Sequence, residues 1–201
     1  MIDTLVSQLM ASSPAELAAV VLAVAYLVLA VRENIWCWAC ALASTAIFLV
    51  VFWDVNLYME SGLQVYYIVM AVYGWWAWTH GGTGNEDRAV TRWTPAQHGI
   101  ALALIALATL TSGWLLQGTD AALPYLDAFT TWASVLTTWM VAQKILENWI
   151  YWFVIDSVSI YLYLDRELYF TALLFAIYLV IIIFGWRSWY RSYTDARNMP
   201  L

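Results

Sequence analysis

Charge is what this chain has least of. Only 11% of its 201 residues are charged, against 64% hydrophobic and 17% aromatic. A soluble domain of this length carries roughly 25% charged residues and could not keep so much apolar surface dry, so the bilayer is its natural solvent. Lysine occurs once, at Lys144. A retinal-binding seven-helix protein needs a Schiff-base lysine in its last helix, and Lys144 falls at the end of the fifth span, which sets that class aside. The two cysteines, Cys37 and Cys40, have C-x-x-C spacing but no second pair or histidine to complete a ligand set, so they read as small buried hydrophobes. The chain has no Gly-x-Ser-x-Gly elbow, no paired helix carboxylates and no His-rich metal set, so neither an enzyme nor a metal or cofactor is expected. His80 and His98 need no special role. A net charge of −6 without a basic stripe argues against nucleic acid as a partner. Met1 to Ser13 lacks a basic n-region and carries Asp3, unlike a signal peptide. No stretch reads as an attached kinase, ATPase or sensor domain.

Hydrophobic runs, by contrast, fill the chain. A spanning helix needs about 20 mostly apolar residues. Seven candidates run near 15–31, 35–53, 61–79, 97–117, 128–146, 149–164 and 168–187, the fifth and sixth being polar for membrane helices. Residues 80–94, rich in Gly and charge, read as the one obvious flexible loop, and 118–127, with Gly118, Asp120 and Pro124, as a shorter one. With the N-terminus outside, Arg32, Arg88, Arg92, Lys144, Arg187, Arg191 and Arg197 fall on the cytoplasmic side and only Arg166 outside, which fixes N-out, C-in.

Two stretches repeat. Residues 32–78 open with Glu33-Asn34 and close with Tyr73-Gly74-Trp75-Trp76-Ala77-Trp78; residues 146–189 open with Glu147-Asn148 and close with Phe184-Gly185-Trp186-Arg187-Ser188-Trp189. Glu33, Asn34 and Trp38 recur 114 positions on as Glu147, Asn148 and Trp152. Leu57, Tyr58, Tyr67, Gly74, Trp75 and Trp78 recur 111 positions on as Leu168, Tyr169, Tyr178, Gly185, Trp186 and Trp189, so three residues are expected to drop out of the second copy. The fold class expected is an all-α membrane protein of seven transmembrane helices in a 3+1+3 parallel repeat. In this single membrane domain of 1–201, residues 15–79 form the first triplet, 97–117 a linker helix and 128–189 the second triplet. Internal repeats of this kind mark transporters, whose similar halves rock about a shared central site.

Polar residues at bilayer depth are costly unless paired or facing water, and so are functional candidates. On the sixth span Asn148, Trp152, Asp156, Ser159 and Tyr163 recur at helical spacing and stack on one face. On the fifth, Trp132 and Trp139 share a face, with Gln143 one turn on; on the third, Gln64, Tyr67, Ala71 and Gly74 do so. Aromatic faces can sandwich a ring, amides and hydroxyls can satisfy sugar hydroxyls, and a carboxylate or indole face favours a cationic ring. In the proposed repeat Asp156 matches Leu42 and Gln64 matches Phe175, so an asymmetric solute is gripped differently by each half. For Asp156 the site reading leads, and a buried hydrogen bond to a neighbouring helix is the alternative. Trp149 reads equally as site or belt, while Trp36, Trp53, Trp75, Trp76, Trp186 and Trp189 read as interfacial belt or packing. Tyr161, Tyr169 and Tyr190 need no function. Glu33 and Glu147, near Arg32 and Lys144, read as structural charge pairs or gate elements.

The stretch Lys144-Ile145-Leu146-Glu147-Asn148-Trp149-Ile150-Tyr151-Trp152 with Asp156-Ser157-Val158-Ser159, the segment from Leu57 to Trp78, and Asp127-Ala128-Phe129 together carry a resemblance. The chain resembles the PnuC-type vitamin-precursor transporters over nearly its whole length. That resemblance implies a SWEET-like 3+1+3 fold, a homotrimer in the bacterial inner membrane, and uptake by facilitated diffusion without ATP. It implies nicotinamide riboside, thiamine or riboflavin as the small-molecule vitamin precursor, trapped inside by a separate cytoplasmic kinase. By motif match it places Gln64, Tyr67, Asn148, Trp149, Trp152 and Asp156 in a mid-membrane site. Some relatives carry Asn where this chain has Asp156. Nicotinamide riboside leads, with thiamine close behind; the reading from another class is a non-transporting structural or partner-binding membrane subunit.

Overall fold

The helices begin and end where local chemistry dictates. The computed structural model describes residue 7 and residues 13–54, 58–82, 88–118, 123–165 and 167–198. Leu57, Asp120, Arg166, the 83–87 part of the expected loop and most of the N-terminal stretch lie outside the described residues. Among those described, seven helices follow one another: α1 (Pro14–Val31), α2 (Trp36–Asp54), α3 (Tyr58–His80), α4 (Pro95–Leu116), α5 (Pro124–Ala142), α6 (Asn148–Asp165) and α7 (Tyr169–Asn198). Capping boxes open two of them. Ser13 and Glu16 satisfy each other's backbone amides ahead of Pro14, and Thr94 and Gln97 do so ahead of Pro95.

Two boundaries differ from expectation. The fifth span was expected over 128–146, but α5 starts at Pro124 and stops at Ala142. Lys144 takes a left-handed backbone (φ 49°), so 143–147 form a turn rather than helix. The seventh span continues past 187 to Asn198, carrying Arg191 and Arg197 beyond the apolar stretch. Residues 88–93 also depart from the flexible-loop reading. They form a strap over the 143–147 turn, with Thr91 N donating to Lys144 O (3.0 Å) and Leu146 N to Thr91 O (2.8 Å). Arg88 Nε donates to Gln143 O (3.1 Å), Arg92 Nε to Glu147 Oε1 (2.6 Å), and Val90 is buried beneath.

Helix α2 packs between α1 and α3, α6 between α5 and α7, and the contacts α1–α7 and α3–α5 join the two groups, while α4 packs on α5. The outer side of α4 presents Ile100, Leu104, Leu107, Leu110 and Trp114, an apolar face suited to lipid rather than water. By length and hydropathy, α1, α4 and α7 qualify as membrane-crossing helices on their own. The others carry the polar residues described below.

Interactions recur in pairs 111 positions apart. Glu33 and Lys144 both have left-handed backbones (φ 53° and 49°) after the same turn, Glu33 N donating to Ala30 O and Lys144 N to Val141 O, each at 3.0 Å. Trp78 Nε1 donates to Val141 O (3.1 Å) and, in mirror fashion, Trp189 Nε1 to Ala30 O (2.9 Å). Trp38 meets Trp78 edge-on at 5.5 Å, and Trp149 meets Trp189 edge-on at 5.4 Å. The 114-residue register read from Glu-Asn-Trp is therefore corrected. The offset is 111 on both sides, no residues drop out, Trp38 corresponds to Trp149, and Asp156 corresponds to Thr45 rather than Leu42. Identical letters at 114 hid an equivalence that the backbone retains at positions 33 and 144 although the side chains there differ.

Positions 33 and 144 bond directly: Lys144 Nζ lies 2.9 Å from Glu33 Oε2 and 4.7 Å over the Trp78 ring, with side chains 8% and 20% exposed. Glu147 pairs with Arg92 rather than with Arg32 or Lys144. Because 33 and 144 share a backbone conformation, Glu33→Lys or Lys144→Glu alone is expected to cost about 3 kcal/mol by leaving like charges face to face. The double exchange should recover most of it in a thermal-unfolding cycle. Additive losses would show that the pair does not join the halves.

Candidate functional site

Helix α6 positions the site because its costliest polar residues fall on the buried side. Asn148, Asp156 and Ser159 are buried, Trp152 and Tyr163 half-buried, while Phe153, Val154 and Tyr161 are exposed. The inward stripe is the one read from spacing. Asp156 is 4% exposed and lies within electrostatic reach of Tyr67 on α3 and Tyr178 on α7. Tyr67 is hydrogen-bonded to Ser134 of α5. Phe175 sits between Tyr163 (5.0 Å) and Tyr178 (5.4 Å). A carboxyl group, hydroxyls and aromatic faces from four helices, α3, α5, α6 and α7, therefore converge. Gln64 is half-buried one turn before Tyr67 on α3.

Asn148 and Trp149 form a second level, about 12 Å from Asp156 along the α6 axis. Asn148 is fully buried; its Nδ2 donates to Ile145 O (2.7 Å), and its Oδ1 is without a hydrogen-bond partner among the described residues. Trp149 Nε1 and its repeat equivalent Trp38 Nε1 are likewise buried and unpartnered. Each such group costs roughly 1–3 kcal/mol when left unmet. Next to each other in sequence, the orphan Trp149 N–H and Asn148 amide oxygen are groups that a polar solute could satisfy.

Three expected site residues stand elsewhere. Trp132 and Trp139 are 40% and 38% exposed. Trp132 Nε1 donates to Ser112 of α4 (2.9 Å), and Trp139 lies against Trp93 of the strap (6.0 Å). The seven-residue spacing correctly put both on one face of α5, but that face turns toward α4 and the strap. The core face of α5 is instead built from small residues, Ala133, Ser134, Thr137, Thr138 and Val141. Gln143 belongs to the turn, with Nε2 donating to Tyr73 Oη and its carbonyl accepting from Arg88. The candidates read from the sequence do not include Ser134 and Tyr178, which stand in the cluster around Tyr67 and Asp156, or Trp38, the equivalent of Trp149. A hydroxyl stripe on α5 and the unbroken 111 spacing from Trp38 to Trp149 were the available signals.

Cys37 and Cys40 are free, the first buried and the second half-buried. Among the described residues no group of three or more His, Cys, Asp or Glu is placed to hold a metal ion.

A family model described as nicotinamide mononucleotide transporter matches residues 13–191. The chain is 25% identical over 199 residues to the nicotinamide riboside transporter PnuC of Escherichia coli (strain K12), covering 86% of this chain and 83% of the relative. It is 26% identical over 176 residues to the riboflavin/roseoflavin transporter RibM of Streptomyces davaonensis, covering 85% and 82%. A crystal structure of the vitamin B3 transporter PnuC shares the fold with a TM-score of 0.74 at 21% identity, covering 96% of this chain and 90% of that one. With helices apolar enough to cross the bilayer and a polar stripe turned inward, the chain belongs to the nicotinamide mononucleotide transporter family and is a multi-pass inner-membrane transporter, not an enzyme.

Proposed function

We propose that the chain takes up nicotinamide riboside by facilitated diffusion, as a uniporter. The observation that carries this reading is Asp156, a carboxyl group turned inward at mid-span among Tyr67, Tyr178 and Ser134. A carboxylate flanked by aromatic faces favours a flat cationic ring, and the hydroxyls and amides around it suit a sugar. Among the described residues Lys144 is the buried cation, and Glu33 already holds it. A dianionic phosphate would find no free positive partner at that depth, which favours a riboside over a mononucleotide. The same chemistry supports trapping: phosphorylation inside the cell adds about −1.5 to −2 charge, and a solute so altered no longer suits the site. A separate cytoplasmic kinase would supply that step.

In this reading α1–α3 and α5–α7 are two triplets in parallel orientation, separated by α4, with the N-terminus outside and the chain assembled as a homotrimer. The interactions paired at 111 positions support the two triplets, and the placement of basic residues supports the orientation. Thiamine, whose thiazolium is also cationic, is the second reading. The kinship with RibM supports riboflavin as a third.

Purified protein in liposomes is expected to show saturable, downhill uptake of labelled nicotinamide riboside, insensitive to an imposed proton or sodium gradient. Excess unlabelled thiamine or riboflavin ranks the competitors. Absence of saturable uptake and binding of nicotinamide riboside would overturn the assignment; stronger competition by thiamine would move it to that vitamin.

A further inference from the structure

An open apolar groove of about 290 Å³ lies between α6 and α7, lined by Trp149, Phe153, Ile182, Ile183, Trp186 and Arg187. Its chemistry is graded. Helix α6 enters the bilayer from Asn148 and α7 leaves it toward Asn198, so Phe153 and Ile183 lie deep and Arg187 at the water side. Arg187 is exposed and makes no ion pair among the described residues, and Arg191 follows one turn later. Trp186 and Tyr190 stack at the same level (6.2 Å, 21°), as interfacial rings do.

The corresponding face of the first half is built differently. At the 111 offset Arg187 is Trp76 and Arg191 is His80. Trp36 there stands edge-on against Trp75 (5.6 Å, 85°). The equivalent of Trp36 is Glu147, which turns away to Arg92. One repeat thus fills the place beside Trp75 with Trp36, whereas its counterpart leaves an apolar slot ending in a guanidinium without an ion pair among the described residues.

We propose that this groove holds an anionic phospholipid, its phosphate on Arg187 and an acyl chain along Phe153 and Ile183. A guanidinium forks onto phosphate with two donors, and basic residues at the mouth of a slot between transmembrane helices recognise charged headgroups. None of Asn148, Asp156, Tyr67 or Tyr178 lines the groove, so its occupant acts from outside the polar cluster. Through Trp149, lipid contact reaches the second level of the solute site without entering it.

The test equilibrates purified protein with detergent micelles containing equal phosphatidylglycerol and phosphatidylcholine, then counts retained lipid by native mass spectrometry. One phosphatidylglycerol per chain is expected in preference to phosphatidylcholine. Arg187→Gln should lower its retention about fivefold, leaving phosphatidylcholine unchanged, and Arg187→Lys should keep part of it. Ile183→Trp, which fills the slot while leaving the charge, should also displace the lipid. Equal retention of both lipids by the parent chain, or phosphatidylglycerol retention unaltered in both variants, overturns the proposal. Loss of oligomer mass in Ile183→Trp with lipid retention intact would instead assign the face to a second copy of the chain.

Discussion

Asp156→Ala is expected to lower uptake of nicotinamide riboside in liposomes about ten- to a hundredfold while the protein still folds. A hydrogen bond or close contact to a charged group contributes about 1.5–3 kcal/mol, and each 1.4 kcal/mol is a factor of about ten in affinity. Asp156→Asn sharpens the test, because it keeps the volume and one acceptor oxygen while removing the charge. If the carboxylate recognises a cationic ring, Asp156→Asn loses affinity for nicotinamide riboside and thiamine but not for neutral riboflavin. If Asp156 serves packing between helices, all three solutes are affected alike and thermal stability falls with them, since its neighbours Tyr67 and Tyr178 come from α3 and α7. Unchanged uptake in Asp156→Ala would remove the observation on which the functional reading stands.

Why the stripe on α6 was legible is a matter of cost. Asn148, Trp152, Asp156 and Ser159 are expensive in lipid, so their helical spacing had one tolerable direction, inward. Trp132 and Trp139 carried no such constraint. An indole tolerates both lipid and protein, and the α5 face that enters the core is marked by small side chains that hydropathy barely registers. The 111 spacing was legible in its second block, where Gly74 and Trp78 pack as Gly185 and Trp189 do. It was misread in the first, where Glu33 and Lys144 have diverged to opposite charges and bond to each other. Nothing in a letter-by-letter match reveals that equivalent positions have become complementary. The strap was hidden for a related reason: Arg88 and Arg92 look like loop charges until Gln143 and Glu147 are placed beneath them.

Gly74→Ala and Gly185→Ala are expected to be strongly destabilising single-methyl changes. A Cβ on Gly185 would lie 2.5–2.6 Å from the Trp149 ring, and one on Gly74 would lie 2.3–2.5 Å from the Trp38 ring. Neither indole can easily retreat. Both are buried, each is backed edge-on by Trp189 or Trp78, and those two rings are themselves fixed by bonds to Ala30 and Val141 across the bundle. Overpacking of this kind costs about 1–3 kcal/mol, which for a chain of this size is a fall of roughly 2–12 °C in midpoint temperature. Gly99→Ala on α4 is the control: nothing lies within 4 Å of its Cβ, and alanine there should gain up to about 1 kcal/mol. The two core glycines should respond nearly equally, because they occupy one environment built twice. If either proved as harmless as Gly99→Ala, or if their losses differed several-fold, the equivalence at 111 positions would not extend to packing. Gly185→Ala carries a further consequence, since Trp149 adjoins both Asn148 and the groove. Its displacement should weaken solute uptake and phosphatidylglycerol retention together, whereas Gly74→Ala, acting on Trp38 in the half without the arginine, should spare the lipid.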